Sequence, residues 1–340
     1  MARSVGSMRK STRVLPSSGA DRSLAAATVL SVIIPARNEA LAIAAVVRAV
    51  QASCPSGRAL EVIVVDDGST DDTVAVARKS GARVLELGRT SSGGNPAKAR
   101  NKAAALAHGD PIVFLDADCL PADGWLEHLL SAHEAGAAVV GGALDLPAGL
   151  SWMARCDYYC GWYHVHSRRP GGNVPNHPPG NLSVRREEFQ RTAGFTEQQP
   201  VAYAHEELAW QSEIQRRGGR IVFEPRAIVY HYNRPGFRNL LRRNYRWGFS
   251  AIESKAPTGA ARFSWIYRYP LLLLAASLPL ALGSTAYILF CWVRAGRLEP
   301  LLMLPAVLAA RLAYSAGLIA GGIRWMRFGP AAAETRPQWE

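Results

Sequence analysis

Short apolar runs alternate with longer alanine-rich stretches through the first half of the chain. The runs are rich in β-branched residues and are typical of strands that are covered on both faces. The predicted strands are Ser31–Pro35, Glu61–Asp66, Ala82–Leu87 and Ile112–Leu115, and the predicted helices are Ala40–Ser53, Thr70–Ser80 and Pro96–His108. Strands that alternate with helices pair in parallel through crossover connections. The pattern therefore predicts an α/β domain with a mostly parallel sheet of the nucleotide-binding type.

Near the C-terminus the pattern changes to two long apolar segments. Tyr269–Trp292 carries no charge over 24 residues, which is long enough for a helix to cross the ~30 Å hydrocarbon core of a bilayer. Pro300–Ile323 is nearly as apolar, but Arg311 lies near its middle. An arginine there is costly in lipid, so we expect it to face a partner or a polar cavity. Residues 269–323 are therefore predicted as two transmembrane helices, with two helices of a soluble core as the alternative.

The segment that precedes these helices is strongly basic. The chain has a formal net charge of +12 over 340 residues, and residues 226–268 include nine basic residues and one acidic residue, Glu253. Within Phe237–Ile252 the apolar residues recur at helical spacing, and four arginines occupy the other side. This predicts an amphipathic helix, within an interfacial segment 236–268, at an anionic membrane surface. The alternative is a helix that packs on the core and has a solvated basic face. The neighbouring apolar segments favour lipid over nucleic acid, and we expect no nucleic-acid partner.

Basic residues also predict the orientation of the chain. More of them flank the outer ends of the two predicted spans than lie in the loop between the spans, and the larger basic excess belongs in the cytoplasm. We therefore predict a multi-pass protein of the inner cell membrane, with its α/β domain (29–235) and its C-terminal tail (324–340) on the cytoplasmic side. Residues 1–28 have no apolar run of signal-peptide length and are predicted to be a disordered basic tail.

The cysteines and the loop after the first strand argue against several classes of protein. Five scattered cysteines are too few for a disulfide scaffold and favour a reducing compartment. Cys156, Cys160 and His164 recur at every fourth position, which could form a metal site on one side of a helix. The interleaved aromatic residues favour a packing face instead. Residues 35–39 follow the first strand without a GxGxxG or GxxxxGK(S/T) loop, which argues against dehydrogenases and P-loop phosphotransferases. A bound nucleotide would then be held by polar side chains at the strand ends.

Carboxylates mark the ends of two predicted strands. Asp66 and Asp67 end the second strand, at the edge of a parallel sheet where ligands bind. Asp116 and Asp118 follow the fourth strand, and their spacing of two points both carboxylates the same way. Paired oxygens of this kind suit a hard divalent ion that bridges a diphosphate, and they predict Mg²⁺ or Mn²⁺ as the cofactor.

A third acidic pair, Glu206-Glu207, opens a further predicted helix. Acidic residues in a first helical turn are favoured by the helix dipole, which is the simpler explanation for the pair alone. The alternative is a general base that takes a proton from an acceptor hydroxyl. His231 follows the predicted strand Ala227–Tyr230 and could contact a diphosphate or its metal ion, with a purely structural histidine as an equal alternative.

Together these clusters resemble the family-2 glycosyltransferases, which are inverting enzymes with the GT-A fold, a Rossmann-like sheet flanked by helices. The resemblance covers residues 30–231. The matching segments are 31–39 (SVIIPARNE), 64–71 (VVDDGSTD), Asp116-Ala117-Asp118, Gly180-Asn181, Gly194-Phe195, Glu206-Glu207-Leu208 and 219–225 (GRIVFEP). The resemblance implies that a sugar is moved from a nucleotide-diphosphate donor, with a UDP-sugar expected, to an acceptor hydroxyl.

The resemblance also implies roles for individual residues. The implied nucleotide-binding residues are Pro35, Arg37, Glu39, Asp66, Asp67, Lys98, Arg100, Asp116 and Ala117. The implied metal ligands are Asp118 and Asp116, and His231 is a further candidate. Glu207 is implied as the catalytic base, with Glu206 as its neighbour. The expected contacts to the sugar or the acceptor are Gly180, Asn181, His205, Arg243, Arg246 and Trp247.

A last motif bears on the kind of transfer. Residues 243–247 (RNYRW) are similar to the QxxRW signature of polymerising members, but Arg243 replaces the glutamine. With only two predicted spans, this departure favours a single transfer over polymer synthesis. We expect a lipid or lipid-linked acceptor at the cytoplasmic membrane face. The alternative function is a catalytically degenerate domain that acts as a membrane-bound binding protein, and the intact acidic clusters argue against it.

Overall fold

The computed structural model describes four segments of the chain, residues 29–88, 94–198, 204–258 and 269–328. The predicted basic tail and residues 329–340 of the predicted C-terminal tail lie outside these segments. The strands are β1 (Val29–Ala36), β2 (Ala59–Asp66), β3 (Arg83–Glu86), β4 (Ile112–Leu115), β5 (Cys119–Pro121), β6 (Val139–Asp145), β7 (Gly172–Asn173), β8 (Asn181–Val184) and β9 (Ile221–His231). They form one sheet in the order β3-β2-β1-β4-β8-β6-β9-β5, and β7 pairs with β9.

The N-terminal half of this sheet is parallel, as predicted. β1 pairs with β2 and with β4, and β2 pairs with β3. Successive side chains of a strand point to opposite faces, so Val32 and Ile34 belong to one hydrophobic cluster and Ile33 belongs to another. Both faces are buried, which explains why these strands are apolar throughout. The carboxyl ends of β1, β2 and β4 meet at one edge of the sheet.

The C-terminal half departs from the predicted mostly parallel arrangement. β8 lies antiparallel between β4 and β6, and β5 and β7 are antiparallel to β9, whereas β6 and β9 are parallel. The chain enters β8 from the loop Pro170–Gly180 and not from a crossover helix. An antiparallel strand needs no such helix. The sheet is therefore mixed, and the Pro/Gly-rich loop leads into β8, the strand that runs against both of its neighbours.

Helices flank the sheet and continue beyond it. The described helices are α1 (Ile43–Ala52), α2 (Thr73–Lys79), α3 (Pro96–Leu106), α4 (Trp125–Glu134), α5 (Trp152–Gly161), α6 (Arg186–Gln190), α7 (Leu208–Arg216), α8 (Phe237–Thr258), α9 (Pro270–Arg294), α10 (Glu299–Leu302) and α11 (Leu304–Phe328). α9 and α11 match the two predicted spans in position. Both are long and apolar enough to cross a membrane, by length and composition.

A glycine contact joins α8 to α11. A Cβ atom at Gly248 would lie 2.0 Å from the carbonyl oxygen of Tyr314, and one at Gly317 would lie 2.0 Å from that of Tyr245. Glycine allows two backbones to approach this closely because it has no Cβ. Phe249, on the apolar side of α8, is buried. Part of the apolar side of α8 therefore packs on α11, as in the alternative of a helix packed on protein, whereas Phe237 on the same side is exposed.

Candidate active site

A cavity of ≈ 1080 Å³ extends from the edge of the sheet to the C-terminal helices. Most of the predicted site residues line it: Pro35, Arg37, Glu39, Asp67, Arg100, Asp116, Ala117, Asp118, His205, Glu206, Glu207, His231, Arg243, Arg246 and Trp247. We call the part next to β1, β2 and β4 the sheet end. We call the part lined by α8, α9 and α11 the helical end. Residues 174–179 of the Pro/Gly-rich loop also line the cavity.

Two loops at the sheet end are tied together by side-chain hydrogen bonds. The Ser69 hydroxyl accepts from the backbone N–H of Asn38 at 3.0 Å, and the Asp71 carboxylate accepts from that of Ala40 at 3.2 Å. These bonds hold the loop after β1 against the loop after β2. Residues 35–39, which include four lining positions, are thereby fixed at the edge of the sheet.

Asp66 and Asp67 are adjacent but differ in their surroundings. The buried Asp66 carboxylate accepts from the backbone N–H groups of Gly68 and Ser69 at 3.2 Å each. It shapes the turn and does not line the cavity, which departs from the predicted nucleotide contact. Asp67 lines the cavity, accepts from the backbone N–H of Asn95, and has a pKa raised by burial. A carboxylate at this edge can accept from a base N–H or a ribose hydroxyl.

Asp118 and His231 form a candidate metal site. Asp118 Oδ1 lies 3.6 Å from His231 Nε2. Cys119 completes the cluster that could hold an ion among the described residues. The antiparallel pairing of β5 with β9 places Cys119 opposite His231 and so brings the strand-end carboxylate to the histidine. The thiol had not been predicted at this site.

A chain of hydrogen bonds fixes the ring of His231. Asn233 Nδ2 donates to Asp157 Oδ2 at 2.7 Å, so Asn233 Oδ1 accepts the proton of His231 Nδ1 at 2.8 Å. The lone pair of Nε2 is then directed toward Asp118, and a histidine held this way is the form that binds metal ions. Arg243, predicted to contact the acceptor, pairs with Asp157 at 2.7 Å. The carboxylate oxygen of Asp118 is the kind of ligand that suits Mg²⁺ or Mn²⁺, whereas the thiol of Cys119 is a soft ligand that does not.

Arg100 links the carboxylates after β4 to the glutamate pair. It is 3% exposed and donates to Asp116 Oδ1 at 2.6 Å and to Glu206 Oε1 at 2.8 Å. The resemblance implies a contact between Arg100 and the nucleotide, but the guanidinium group donates to two carboxylates of the domain itself. Lys98, the other predicted basic residue, lies outside the lining, although its charge acts on Asp67.

Glu207 has the most suitable environment for a base. Its neighbour His205 has φ +66, a left-handed conformation that is uncommon for a residue other than glycine, and both residues line the cavity. Burial, followed by the charge of Glu206, raises the pKa of Glu207 to about 8. A carboxylate whose pKa is near the working pH accepts a proton from a hydroxyl more effectively than one of ordinary pKa. His205 Nδ1 lies 3.3 Å from the hydroxyl oxygen of Ser250 on α8.

Gly180 and Asn181 do not line the cavity, which departs from their predicted contact with the sugar or acceptor. Asn181 is fully buried. Its Oδ1 accepts from Trp125 Nε1 at 2.8 Å, and its Nδ2 donates to carbonyl oxygens of β6 and β9 at 2.9 Å each. Asn181 therefore ties the centre of the sheet together. A Cβ atom at Gly180 would lie 2.8 Å from Asp116 Oδ2, so Gly180 leaves room for that carboxylate.

The two cysteines of α5, Cys156 and Cys160, pack against hydrophobic side chains. Cys156 and Cys160 are buried in a hydrophobic cluster with Tyr159 and Trp292, and Cys160 and His164 also line the cavity. Within the described segments these residues are not part of a cluster that could hold an ion. The structure therefore agrees with the packing interpretation.

Comparison with known proteins identifies the family. Residues 31–192 match the family described as Glycosyl transferase family 2. An uncharacterized glycosyltransferase of Mycobacterium tuberculosis is 32% identical over 166 residues, which cover 48% of this chain and 70% of that protein. The chain belongs to glycosyltransferase family 2. The present chain is also 29% identical over 259 residues to the pre-mycofactocin glycosyltransferase of M. tuberculosis. That match covers 70% of this chain and 52% of the relative. The chain thus spans about half the length of that relative.

A solved structure shares the fold. The mannosyltransferase PcManGT from Pyrobaculum calidifontis, solved with GDP-Man and Mn²⁺, has a TM-score of 0.56 and 22% identity. The match covers 87% of this chain and 86% of that protein. The mixed sheet with its flanking helices is therefore the GT-A fold that the sequence predicts.

Proposed function

We propose that this enzyme moves a sugar from a nucleotide-diphosphate donor, with a UDP-sugar expected, to a hydroxyl of a lipid or lipid-linked acceptor at the cytoplasmic face of a membrane. The observation that carries the proposal is that Asp67, Asp118 and Glu207 line one cavity. A single displacement needs a contact to the nucleotide, a site for the leaving diphosphate and a base. Each of these three carboxylates supplies one of them.

Glu207 acts as the base. It takes the proton of the acceptor hydroxyl while the hydroxyl oxygen forms a bond to the anomeric carbon of the sugar. The bond from that carbon to the diphosphate oxygen breaks, and the nucleotide diphosphate leaves with the bonding electrons. Attack from the side opposite the leaving group inverts the configuration. The raised pKa of Glu207 supports this role because it makes the carboxylate a stronger base than an exposed one.

Asp118 and His231 hold the divalent ion in this proposal. Their oxygen and nitrogen atoms lie 3.6 Å apart, and Asn233 fixes the orientation of the histidine. When bound, Mg²⁺ or Mn²⁺ supplies positive charge that stabilises the departing diphosphate. Arg100 donates to one carboxylate oxygen of Asp116. The second oxygen of Asp116 lies at the same edge of the sheet.

The hairpin of α9 and α11 attaches the enzyme to the membrane. The outer side of α9 exposes large apolar residues, among them Leu271, Leu278 and Phe290. Arg311 turns to the cavity, as expected for an arginine within a span. The helical end of the cavity then lies beside the lipid from which an acceptor would enter. α8 packs on α11 and supports this hairpin from the protein side.

Nucleotide release by the purified full chain tests the proposal. We expect release from one or more nucleotide sugars only with Mg²⁺ or Mn²⁺, and loss of release in Asp118→Ala. Glu207→Gln keeps the shape of the side chain and should bind the donor normally while transfer is lost. Glu213→Gln is the matched control because Glu213 lies on α7 outside the cavity and pairs with Arg217.

Two results separate the alternatives. A protein that binds nucleotide sugars but releases no nucleotide with any metal ion or lipid extract is the degenerate binding domain. A fully active Glu207→Gln variant shows that another group takes the proton.

A further inference from the structure

The helical end of the cavity is rich in basic residues. Five basic residues line it from α8 and α11, and no acidic residue lines it from α8, α9 or α11 among the described residues. The five are Arg242, Arg243, Arg246, Lys255 and Arg311. The acidic lining residues belong to the sheet end, to the turn before α7 and to α5, where Asp157 pairs with Arg243. The two ends of the cavity therefore suit different chemical groups.

Arg311 is the most unusual of these residues because it lies within a helix that is otherwise apolar. Its Nε donates to Ser284 Oγ at 3.1 Å, its NH1 lies 3.4 Å from Asn244 Oδ1, and its Cζ is 4.3 Å from the centre of the Tyr314 ring. These partners are neutral. Within the described segments no carboxylate forms an ion pair with Arg311. A guanidinium group in a membrane hairpin is strongly stabilised by an anion that binds beside it.

Lys255 of α8 contacts the same tyrosine. Its Nζ is 3.2 Å from the Tyr314 hydroxyl oxygen, and it lies 5.8 Å from the centre of the ring that Arg311 also contacts. Both cations also act on Tyr163, a further lining residue. The two cations therefore meet at Tyr314, where α8 and α11 face each other.

The surroundings of this pair are apolar on the side of the hairpin. Leu280 of α9 and Leu318 of α11 line the cavity next to Ser284 and Arg311. Leu278 and Leu282, on either side of Leu280 in sequence, are exposed on α9. An apolar chain can thus pass from the cavity to the outer surface of the hairpin without crossing charged groups.

Glu207 lines the same cavity, and the charge of Lys255 acts on its carboxylate. A phosphate oxygen that served as the nucleophile would need no base, and two cations would reduce its nucleophilicity. A hydroxyl does need a base, and Glu207 is suited to it. The bound molecule should therefore carry its anionic group and its reacting hydroxyl on different atoms.

We infer that Arg311 and Lys255 bind the phosphate of a lipid-linked acceptor, whose apolar chain leaves along Leu280 and Leu318 and whose hydroxyl-bearing head group reaches Glu207. This inference rests on the proposed function and names the acceptor class for the same site. Arg311 binds the phosphate group through charge-assisted hydrogen bonds, which a guanidinium group makes with two parallel N–H donors. The donor diphosphate binds elsewhere, at the sheet end.

Direct binding by the full chain in nanodiscs of neutral lipid tests the inference without a known donor. The probes are geranylgeranyl diphosphate, geranylgeraniol and inorganic diphosphate, which separate the contribution of the anion from that of the chain. We expect the lipid diphosphate to bind at least about tenfold more tightly than either of the others. Equal binding of the alcohol, or of inorganic diphosphate, overturns the inference.

Variants of α11 assign the binding to Arg311. Arg311→Gln should weaken binding of the lipid diphosphate by about tenfold or more, and the affinity of Arg311→Lys should lie between that of Arg311→Gln and the wild type, because lysine keeps the charge but loses the paired N–H donors. Arg327→Gln is the control, since Arg327 is exposed on the same helix and does not line the cavity. An unchanged affinity in a folded Arg311→Gln protein overturns the inference.

Nucleotide binding separates this result from the proposed function. Metal-dependent binding of the nucleotide should be unchanged in Arg311→Gln and lost in Asp67→Asn. If Arg311→Gln weakens nucleotide binding and lipid binding equally, Arg311 contributes to donor binding and the inference is wrong. If the wild-type chain binds no nucleotide with any metal ion, the proposed function fails, while the lipid-binding result still stands on its own.

Discussion

Arg100 and Glu206 form a buried ion pair, with 2.8 Å between the guanidinium group and Glu206 Oε1. The second amino group of Arg100 holds Asp116 at 2.6 Å. Glu206 is therefore engaged in an ion pair with Arg100. Burial and the charge of Glu206 raise the pKa of its neighbour Glu207. Two adjacent glutamates thus have different tasks. One belongs to a structural bridge, and the other is suited to take a proton.

Replacing Arg100 by methionine should unfold or strongly destabilise the domain. The change leaves two carboxylates without their buried partner, and breaking a buried ion pair in this way costs roughly 3–5 kcal/mol. Chemical denaturation with tryptophan fluorescence measures the change. Arg83→Met is the control, because Arg83 pairs with Glu61 at the surface, where a pair contributes about 0–1 kcal/mol. Equal midpoints for the two variants would show that the bridge adds nothing to stability.

The rate of transfer should rise with pH through about 8. The base must be deprotonated to act, and burial together with Glu206 raises the pKa of Glu207 to about 8. The turnover number with saturating donor and metal therefore increases up to this pH and levels off above it. Glu206→Gln removes a neighbouring negative charge and should move the midpoint to lower pH. A wild-type rate that falls across this range contradicts the assignment of Glu207.

The sequence allowed the strand ends of this site to be predicted because their signals are local. Asp116 and Asp118 follow one apolar run, and their spacing alone places both at the edge of a sheet. The role of Arg100 could not be read this way, since its partner Glu206 lies 106 positions away. Asn181 shows the converse error: it stands in a matching segment, but its amide is bonded to three other elements within the core.

For a similar reason the sequence does not fix the direction of β8, and it leaves open whether a bilayer or a neighbouring helix covers the apolar side of α8. Strand direction at β8 depends on a loop without helical pattern, and sequence periodicity carries no information about it. An apolar side at helical spacing suits a bilayer and a neighbouring helix equally well. Two glycines allow the helix packing: Gly248 of α8 lies against the backbone of α11, and Gly317 of α11 lies against the backbone of α8. This pairing appears only in the folded structure.

Asn233→Ala should weaken the response to Mn²⁺. Asn233 connects Asp157 to His231 and directs the free ring nitrogen toward Asp118. Loss of such a supporting contact typically lowers metal affinity by about 10–100-fold. The Mn²⁺ concentration that gives half-maximal nucleotide release measures the effect. Asn173→Ala, on the exposed strand β7, should leave this concentration unchanged. If both variants respond alike, His231 is not a ligand that depends on this contact.

Gly317→Ala should destabilise the hairpin and reduce activity together. The new methyl group would lie 2.0 Å from the carbonyl oxygen of Tyr245, so α8 and α11 must separate, and such overpacking costs about 1–3 kcal/mol. α8 carries Arg246 and Trp247 into the cavity, so its displacement also disturbs the site. Thermal unfolding in detergent and the rate of nucleotide release measure the two effects. Gly283→Ala is the matched control on α9, where a Cβ atom meets nothing within 4 Å. Because alanine favours helix over glycine by about 1 kcal/mol, this control should be as stable as the wild type or slightly more stable. A Gly317→Ala protein with the stability and rate of Gly283→Ala would show that the close contact between α8 and α11 is not required.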